Sequence, residues 1–336
     1  MLDICTEFLT NRRQRVVVDG IMGDWSDVKS GVPQGSVLGP LLFILYTSGL
    51  FDGLENELVA YADDTTLMAV IKNLSSRPVV LASINRDLVR IQEWCSQWHM
   101  KLNPSKTKSM VVSRKDTDES SHGLVLVSDT RIEISNSLEI LGVTFDKELK
   151  FAEHIRLCVG NVSRRIGLLR LAKNVYGDAD VVRKCYNAFV LPSLEYCSGV
   201  WGSAAQFQLS KLDRLVRRAD QLCPAVARHT LAHRRKVSNL CMLYKIMANN
   251  NHCLNSRLPP PLARPRNTRQ ATNSHDSCRQ EGRDSQNNLW GPKYKRTFVP
   301  STIKLWNSLP AVAFAGESLS SFKSEVNRYL LDNVST

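Results

Sequence analysis

Two adjacent acidic residues, Asp63 and Asp64, lie between two short apolar runs, and this arrangement constrains the fold more than any other feature. The flanking runs, Leu58–Tyr61 and Thr65–Val70, are rich in residues that favour strands. Two such runs joined by a short polar connection predict a β-hairpin. The sequence therefore predicts two neighbouring carboxylates at the rim of a small sheet.

The surroundings of this acidic pair indicate a site for a divalent cation. Residues 30–71 contain five acids and no Lys or Arg, so the flanking strands offer no salt-bridge partner. Adjacent carboxylates are unfavourable unless a cation neutralises them. Mg²⁺ suits them, because it is a hard ion bound by one or two carboxylates together with substrate phosphates. For the dipeptide alone, an ordinary exposed Asp-Asp turn is the favoured interpretation, so a metal site depends on the motifs around it.

The segment before the predicted hairpin reads as a loop followed by a helix. Gly31 and Gly35 enclose a proline and give a backbone-permissive loop. Ser36 is a candidate cap for the following helix, with Pro40 near its first turn. The apolar run 37–50 is too short to span a bilayer and is typical of a buried core helix.

Downstream, the apolar spacing divides the chain into a mixed part and a helical part, which defines an α+β fold class. A helix is predicted from Val79 to Trp98. Short strands are predicted at Ser109–Ser113, Gly123–Ser128, Thr130–Ile134 and Leu138–Phe145. After Phe151 the spacing predicts helices at Ala152–Asn174, Ala179–Tyr196, Gln206–Leu222, Val237–Asn249 and Ser320–Leu330.

Basic residues concentrate in the second half of a chain whose formal net charge is +12. Residues 211–236 contain eight Lys or Arg and two Asp, and residues 261–300 contain eight Lys or Arg and three acids. Such stretches indicate phosphate binding, although solvated helix faces and a linker would look the same. Residues 263–295 are poor in apolar side chains and are predicted to form a disordered linker.

His229 and His233 are four residues apart, and the basic residues after them favour a phosphate-facing surface over a metal site.

Nine widely spaced cysteines without a CxxC pair predict reduced thiols. The charged N-terminus resembles neither a signal peptide nor a membrane anchor. We therefore expect a nuclear or cytoplasmic protein that is not secreted and does not cross a membrane.

Several ordered motifs resemble those of reverse transcriptases from non-LTR retrotransposons of the jockey and CR1 type. Residues 31–43 (GVPQGSVLGPLLF) resemble motif B, and residues 60–65 (AYADDT) resemble motif C. Residues 98–107 (WHMKLNPSKT) resemble motif D, and residues 138–143 (LEILGV) resemble motif E. Residues 11–16 are similar to the strand region before motif B, and residues 191–201 and 306–310 to the helical region after the polymerase palm. Four motifs in the family's order make a specific signal.

The resemblance implies a role for each matching residue. Asp63 and Asp64 are the expected metal ligands, with Tyr61 packed beneath the turn. Pro33, Gln34 and Gly35, together with Tyr61, are expected along the template and the incoming nucleotide. Leu141 and Gly142 are expected to hold the primer end. Lys106 is the expected proton donor to pyrophosphate, although a solvated lysine is an equally good interpretation.

The resemblance also implies cofactors, partners and domains. Two Mg²⁺ ions are expected in the intact family, with Mn²⁺ as a possible substitute, and the expected partners are an RNA template, a DNA primer and dNTPs. Four segments are expected: a partial palm (1–150) of antiparallel sheet and helices, an all-helical thumb (151–255), a basic linker (256–300) and a helical tail (301–336).

The sequence departs from the family pattern at one carboxylate. The family's third metal ligand lies in motif A, upstream of motif B, and Asp3, Asp19, Asp24 and Asp27 do not occupy that place. We therefore expect an N-terminally truncated RNA-directed DNA polymerase that is inactive alone, with the rest of the polymerase on a longer chain. The alternative is a non-catalytic remnant that binds nucleic acid through its basic segments.

Overall fold

A computed structural model of the chain describes residues 2–113, 126–127, 130–224, 229–249, 254, 298–316 and 318–333. The chain folds into two compact units. The first contains the described parts of residues 1–109 and 116–135, and the second those of 110–115 and 136–336. Within these residues no helix is both long enough and apolar enough to span a membrane.

The described strands of the first unit form small two-stranded sheets. Four of the five pairs are antiparallel, and β7 pairs with β10 in parallel. The paired strands are β1 (Arg13–Gln14) with β4 (Ser26–Asp27), β2 (Val17–Val18) with β3 (Ile21–Met22), β5 (Glu57–Tyr61) with β6 (Asp64–Met68), β7 (Lys108–Ser109) with β10 (Glu133–Ile134), and β8 (Leu126–Val127) with β9 (Thr130–Arg131). Asp19 and Gly20 form the turn between β2 and β3, and both have positive φ, as a tight hairpin requires.

The described residues of the first unit form three helices: α1 (Leu2–Leu9), α2 (Leu38–Thr47) and α3 (Arg77–Gln97). The prediction that the apolar run 37–50 is a buried core helix is wrong for this structure. In α2 only Gly39 is buried, and Ile44 and Leu45 are each 61% exposed. The helix is apolar all round, but the small sheets of this unit do not cover it.

The helix α3 forms as its apolar spacing predicts. Its buried face includes Ile91 and Cys95, while Ile84 and Leu88 pack with Leu102 against Ile132. At its C-terminal end the rings of Trp94 and Trp98 stack with centroids 5.9 Å apart. The Tyr46 ring of α2 meets the Trp98 ring edge-on at 5.4 Å, and the Tyr46 hydroxyl donates to the Trp98 carbonyl. These contacts join the ends of α2 and α3.

The second unit begins with a hairpin, β11 (Ser137–Ile140) and β12 (Val143–Asp146), and continues with helices. The predicted single strand 138–145 is wrong, because Leu141 and Gly142 both have positive φ and form a two-residue turn. The hairpin groups with the helices, whereas the sequence assigned it to a segment ending near residue 150. The helices are α4 (Ala152–Tyr176), α5 (Ala179–Cys185), α6 (Leu191–Glu195), α7 (Ser198–Trp201), α8 (Gln206–Leu222), α9 (Leu231–Ala248), α10 (Phe298–Asn307) and α11 (Leu319–Asp332).

The helix predicted across 179–196 is interrupted by a π-helical segment, Tyr186–Val190. Pro192 has no N–H to donate to the carbonyl four residues earlier. The preceding N–H, from Leu191, instead reaches five residues back to the Tyr186 carbonyl. The local change of hydrogen-bond pattern therefore accommodates a proline that an uninterrupted α-helix would not tolerate well.

Two apolar cores stabilise the second unit. The first packs α4, α5, α6 and α8 around the fully buried Ile155, Tyr186 and Trp201. The second joins α9 to α10 and α11, where the rings of Trp306, Phe314 and Phe322 meet. The C-terminal helices are therefore part of this unit's core. The predicted linker 256–300 lies outside the described residues except for 298–300, which belong to α10.

Candidate functional site

The acidic pair lies at the tip of the hairpin formed by β5 and β6, as the sequence predicts. Tyr61 pairs with Asp64 across the strands, so the turn consists of Ala62 and Asp63 alone. Ala62 has a φ of 53°, a left-handed conformation that matches the primed turns of two-residue hairpins. Asp63 therefore lies in the turn itself, and Asp64 is the first residue of the returning strand.

Both carboxylates are exposed and unpartnered within the described part of the chain. The structure records no side-chain hydrogen bond or ion pair to either one. The expectation that Tyr61 packs beneath the turn is wrong for this structure, because its side chain is 68% exposed. The physical reason is that, among the described strands, this sheet consists of β5 and β6 alone.

The loop that leads into β5 is fixed by a buried carboxylate that sequence reasoning missed. Asp87, on α3, is fully buried and accepts the backbone N–H groups of Glu55 and Asn56, each at 2.9 Å. It also accepts the Asn56 side-chain amide at 2.8 Å. Burial alone would raise the pKa of Asp87, but these hydrogen bonds and the nearby Arg90 hold it below its ordinary value. The carboxylate therefore stays charged and anchors the loop.

Two arginines of the same helix reinforce this anchor. Arg86 donates two hydrogen bonds to the Glu55 carboxylate, both at 2.8 Å, and lowers the pKa of that carboxyl. Arg90 donates to the Gly53 carbonyl at 2.5 Å. The sequence held a signal for Asp87, because it is three residues after Ile84 and four before Ile91 and so lies on the apolar face of its helix.

The glycine-flanked loop adopts the permissive backbone that the sequence predicts. Gly31 and Gly35 have φ values of 79° and 78°. Between them Pro33 is half-buried and Gln34 is exposed. Arg12 donates to the Gly31 carbonyl at 2.5 Å, which holds the start of this loop. Arg12 was not singled out from the sequence.

The end of the same loop is closed against α2. The N-cap residue of α2 is Val37, which makes no side-chain cap bond, but the hydroxyl of Ser36, one residue earlier, accepts the Gly39 N–H at 2.9 Å. The hydroxyl also donates to the Pro33 carbonyl at 2.7 Å. A Cβ on Gly39 would lie 2.8 Å from both the Pro33 carbonyl oxygen and the Ser36 hydroxyl oxygen. Glycine at 39 is therefore what lets the loop pack on the helix start.

Lys106 lies in the turn after α3, which the Asn103 side chain stabilises through the Ser105 hydroxyl at 2.7 Å. The Lys106 side chain is exposed. No hydrogen bond or ion pair joins its ammonium group to the Asp63–Asp64 turn or to another described residue. The ammonium group of Lys106 is therefore open to solvent.

The predicted primer-holding residues form the tip of the hairpin β11–β12. The Leu141 carbonyl accepts the Tyr196 hydroxyl at 2.7 Å, and a Cβ on Gly142 would lie 3.5 Å from the Tyr196 ring. Tyr196 follows α6, so this contact ties the hairpin tip to the helices of its own unit. His154 supports the other strand, since its Nδ1 accepts the Thr144 N–H at 3.3 Å.

His229 and His233 lie side by side, and their surroundings differ. Their rings stack with centroids 4.7 Å apart, but His233 is buried and its Nε2 contacts the Asn327 Oδ1 at 2.9 Å. Within the described ranges no group of three or more His, Cys, Asp or Glu side chains is arranged to hold a metal ion. The acidic hairpin thus brings together two carboxylates.

Comparison with known proteins identifies the segment that carries this hairpin. Residues 3–145 match the family model described as "Reverse transcriptase (RNA-dependent DNA polymerase)". These residues form a reverse transcriptase domain. The domain ends one residue before the end of β12 and therefore includes all the predicted site residues.

Curated relatives of this reverse transcriptase domain come from non-LTR retrotransposons. The "Probable RNA-directed DNA polymerase from transposon BS" of Drosophila melanogaster is 28% identical over 69% of this chain and 26% of its own length. The "RNA-directed DNA polymerase from mobile element jockey" of Drosophila funebris is 27% identical over 63% of this chain and 24% of its own length. The "Probable RNA-directed DNA polymerase from transposon X-element" of Drosophila melanogaster is 24% identical over 68% of this chain and 25% of its own length.

These matches cover more of the chain than residues 3–145 amount to, so the similarity continues beyond the domain. The chain spans about a quarter of the length of these relatives. No solved structure matches the chain.

Reverse transcriptases use divalent metal ions, and the acidic hairpin has donors of the appropriate kind. Asp63 and Asp64 offer carboxylate oxygens, exposed and free of basic partners within the described ranges. Mg²⁺ is commonly held by one or two carboxylates together with substrate phosphates. The residues present therefore fit one such ion with room for further ligands.

Proposed function

We propose that the reverse transcriptase domain carries the Asp63–Asp64 part of an RNA-directed DNA polymerase site of a non-LTR retrotransposon. The observation that carries this proposal is the pair of exposed, unpartnered carboxylates at a two-residue turn, in the described part of a domain of this family. A turn of two residues fixes the backbone that carries both side chains. Neighbouring negative charges there favour a bound cation, which would lower their mutual repulsion.

In this proposal Asp63 is the principal metal ligand and Asp64 supplies the second negative charge. When bound, the divalent metal would activate the primer 3′-oxygen and stabilise the leaving pyrophosphate. Lys106 donates a proton toward that pyrophosphate, a role that suits an exposed ammonium without an ion-pair partner in the described chain. The anchor at Asp87 holds the strand that leads to both carboxylates.

Substrate contacts in this proposal come from two loops. Pro33, Gln34 and Gly35 lie along the template and the incoming nucleotide, with Tyr61 beside them. A Cβ added at Gly35 would have no neighbour within 4 Å, so the space around this glycine is open. Open space and the absence of a side chain support a close approach of the backbone to a base pair. Leu141 and Gly142 hold the primer end, and the contact of Tyr196 with the Leu141 carbonyl supports a rigid tip. The first unit then corresponds to the palm and the helical unit to the thumb.

A metal-binding measurement tests the role of the acidic hairpin directly. We expect the 336-residue chain to bind Mn²⁺, used as a spectroscopic substitute for Mg²⁺, and Asp63→Asn to weaken that binding at least tenfold. Asp24→Asn is the matched control, since Asp24 is an exposed acid of the same domain outside the hairpin. If the two substitutions weaken Mn²⁺ binding equally, the hairpin is not the metal-binding site.

Primer extension tests the completeness of the site. Two carboxylates meet at the hairpin, whereas two-metal transfer in the family uses a third, so we propose that this chain alone does not extend a DNA primer on an RNA template. Incorporation of dNTPs that Asp63→Asn abolishes would contradict this inactivity while supporting the polymerase assignment. Incorporation that survives Asp63→Asn would contradict the assignment of Asp63.

A further inference from the structure

A groove of about 820 Å³ runs along the helical unit, outside the reverse transcriptase domain. Its walls come from three stretches of helix: α5 through α6, α9, and α11. Along each wall the lining residues recur every three or four positions, with the adjacent pairs Val237–Ser238 and Cys241–Met242 on α9, so each helix presents one face to the groove. On α9 the lining runs from Arg234 to Lys245, about 16 Å at 1.5 Å per residue. The site is therefore elongated rather than round.

Cations dominate the charged residues of this groove. It is lined by Arg183, Arg234, Lys245 and Lys323, whereas Glu195 is the one carboxylate among the lining residues of the described chain. Glu195 is occupied, since it forms a two-pronged ion pair with Arg234 that joins α6 to α9. Arg183 pairs with Asp180 on the exposed side of its own helix. The groove therefore carries excess positive charge.

Two of these cations have no acidic partner among the described residues. Lys245 and Lys323 are both exposed, and within the described residues neither ammonium group has an ion pair or a hydrogen bond. They lie on different helices, α9 and α11, and both line the groove. Two ammonium groups on two walls of one groove attract a polyanion.

Apolar side chains lie between the charged groups. Leu191, Val237, Met242 and Leu319 line the same groove, and His229 adds an aromatic ring that already stacks on His233. Asn187, Ser198 and Ser238 supply neutral hydrogen-bonding groups. A single inorganic anion would not use an apolar surface of this length, and a duplex would present phosphates but no base faces to it. A single nucleic-acid strand offers both phosphates and base faces.

We propose that this groove binds a single strand of nucleic acid, with Lys245 and Lys323 on successive phosphates and the apolar residues against the sugars and bases. The choice of nucleic acid among polyanions rests on the proposed function of the preceding domain. The groove itself is a separate site, composed of residues outside 3–145. In this proposal the groove binds a nucleic-acid strand and takes no part in a chemical step.

Fluorescence anisotropy with a fluorescein-labelled oligothymidylate of about 12 nucleotides, within the usual site sizes for single strands, tests the proposal on the full chain. We expect Lys245→Gln/Lys323→Gln to weaken binding at least tenfold. The slope of log K against log salt should fall by about 1.4, since each single-strand phosphate contact contributes about 0.7. Arg170→Gln/Lys173→Gln is the matched control, because it removes the same charge from exposed positions on α4. Circular dichroism and thermal unfolding establish that both variants remain folded.

The remaining arms separate the alternatives. Equal losses in the two double variants would overturn the groove, since net charge alone would then account for binding. If an RNA–DNA duplex binds as tightly through these lysines, the proposed preference for a single strand is wrong. If polyglutamate competes equally well, the proposed preference for nucleic acid is wrong. Oligothymidylate carrying 5-iodouracil should crosslink to α9 or α11 peptides, and crosslinks confined to other parts of the chain would contradict the site. Asp63→Asn should leave this binding unchanged, so a failure here is distinct from a failure of the polymerase proposal.

Discussion

Asp87 faces the loop 53–56 from the buried side of α3, where its two oxygens accept N–H groups of Glu55 and Asn56. A carboxylate suits this place because these neighbours are all donors. An amide would bring its own N–H group against them, which leaves buried donors without acceptors.

We therefore predict that Asp87→Asn lowers the free energy of unfolding of the first unit by about 2–3 kcal/mol. The loop would loosen first, so hydrogen exchange at the Glu55 and Asn56 amides should accelerate. Asp52→Asn, an exposed change nearby, serves as control and should have little effect. Unchanged exchange at residues 55 and 56 would show that the loop does not depend on Asp87.

Gly39 gives a second prediction at this scale. A Cβ at this position would crowd the Pro33 carbonyl and the Ser36 hydroxyl, both at 2.8 Å, so Gly39→Ala must displace the loop or break the cap. We expect a loss of about 1–2 kcal/mol in unfolding free energy, the usual effect of losing an N-cap, measured by denaturant titration. Gly160→Ala on α4 is the opposite case, because an added Cβ there would have no neighbour within 4 Å. This substitution should raise the free energy of unfolding by about 0.5–1 kcal/mol.

His154 gives the pH dependence of the helical unit. Burial lowers the pKa of His154, and the Glu139 carboxylate offsets this in part. The unfolded chain binds a proton at His154 near pH 6.5, whereas the folded chain binds it only at lower pH. The contribution of His154 to the free energy of unfolding is therefore fully present above about pH 6.5 and is lost as the pH falls below it. We predict a falling unfolding midpoint between about pH 7.5 and 5.5, with the slope reduced in His154→Asn. His99→Asn, in the first unit, should retain the slope.

At the scale of elements, the hairpin β11–β12 depends on Tyr196. The tyrosine hydroxyl donates to the Leu141 carbonyl at the turn, while the rest of the hairpin packs through Val143 into the helical core. Tyr196→Phe should thus cost about 1 kcal/mol and speed hydrogen exchange at residues 141–142 without altering that of α8. Ser193→Ala on α6 is the control, since it removes a nearby hydroxyl that does not contact the turn. Unaltered exchange at the turn in Tyr196→Phe would contradict the role of Tyr196.

Periodicity was sufficient to predict most helices, because a long apolar face specifies them locally. The bounds of α8 match the predicted ones, and α4 extends only two residues further. It did not predict the break at Tyr186–Val190, which depends on how one proline is accommodated. The positions of Asp63 and Asp64 followed from the motif and the turn. The partners of Asp87 and Tyr196 did not, because they are distant in sequence and arise only from tertiary contacts.

For the whole molecule, the two units differ sharply in how much apolar surface they bury. In the described chain the buried apolar side chains of the first unit are Ile91, Cys95 and Ile132, whereas the second unit has two extended cores. Stability should follow burial, since burial is the main favourable term in folding.

We therefore predict two unfolding transitions in calorimetry, with the first unit melting at the lower temperature. Ile91→Ala should lower only the first melting temperature and Leu240→Ala only the second. Each substitution should cost about 2–5 kcal/mol of unfolding free energy in its own unit, as is typical of a core truncation. A single transition shifted by both substitutions would show that the units unfold together.

The π-helical segment has a consequence for the direction in which its neighbours point. Four residues of an α-helix, at about 3.6 per turn, overshoot a full turn by about 40°, so residues 183 and 195 would diverge by about 120° on an uninterrupted helix. Arg183, Asn187, Leu191 and Glu195 nevertheless line one groove. The wider turn at Tyr186–Val190 winds more slowly and resets the phase between them. A single proline thereby straightens a row of side chains that the helix would otherwise wind around its axis.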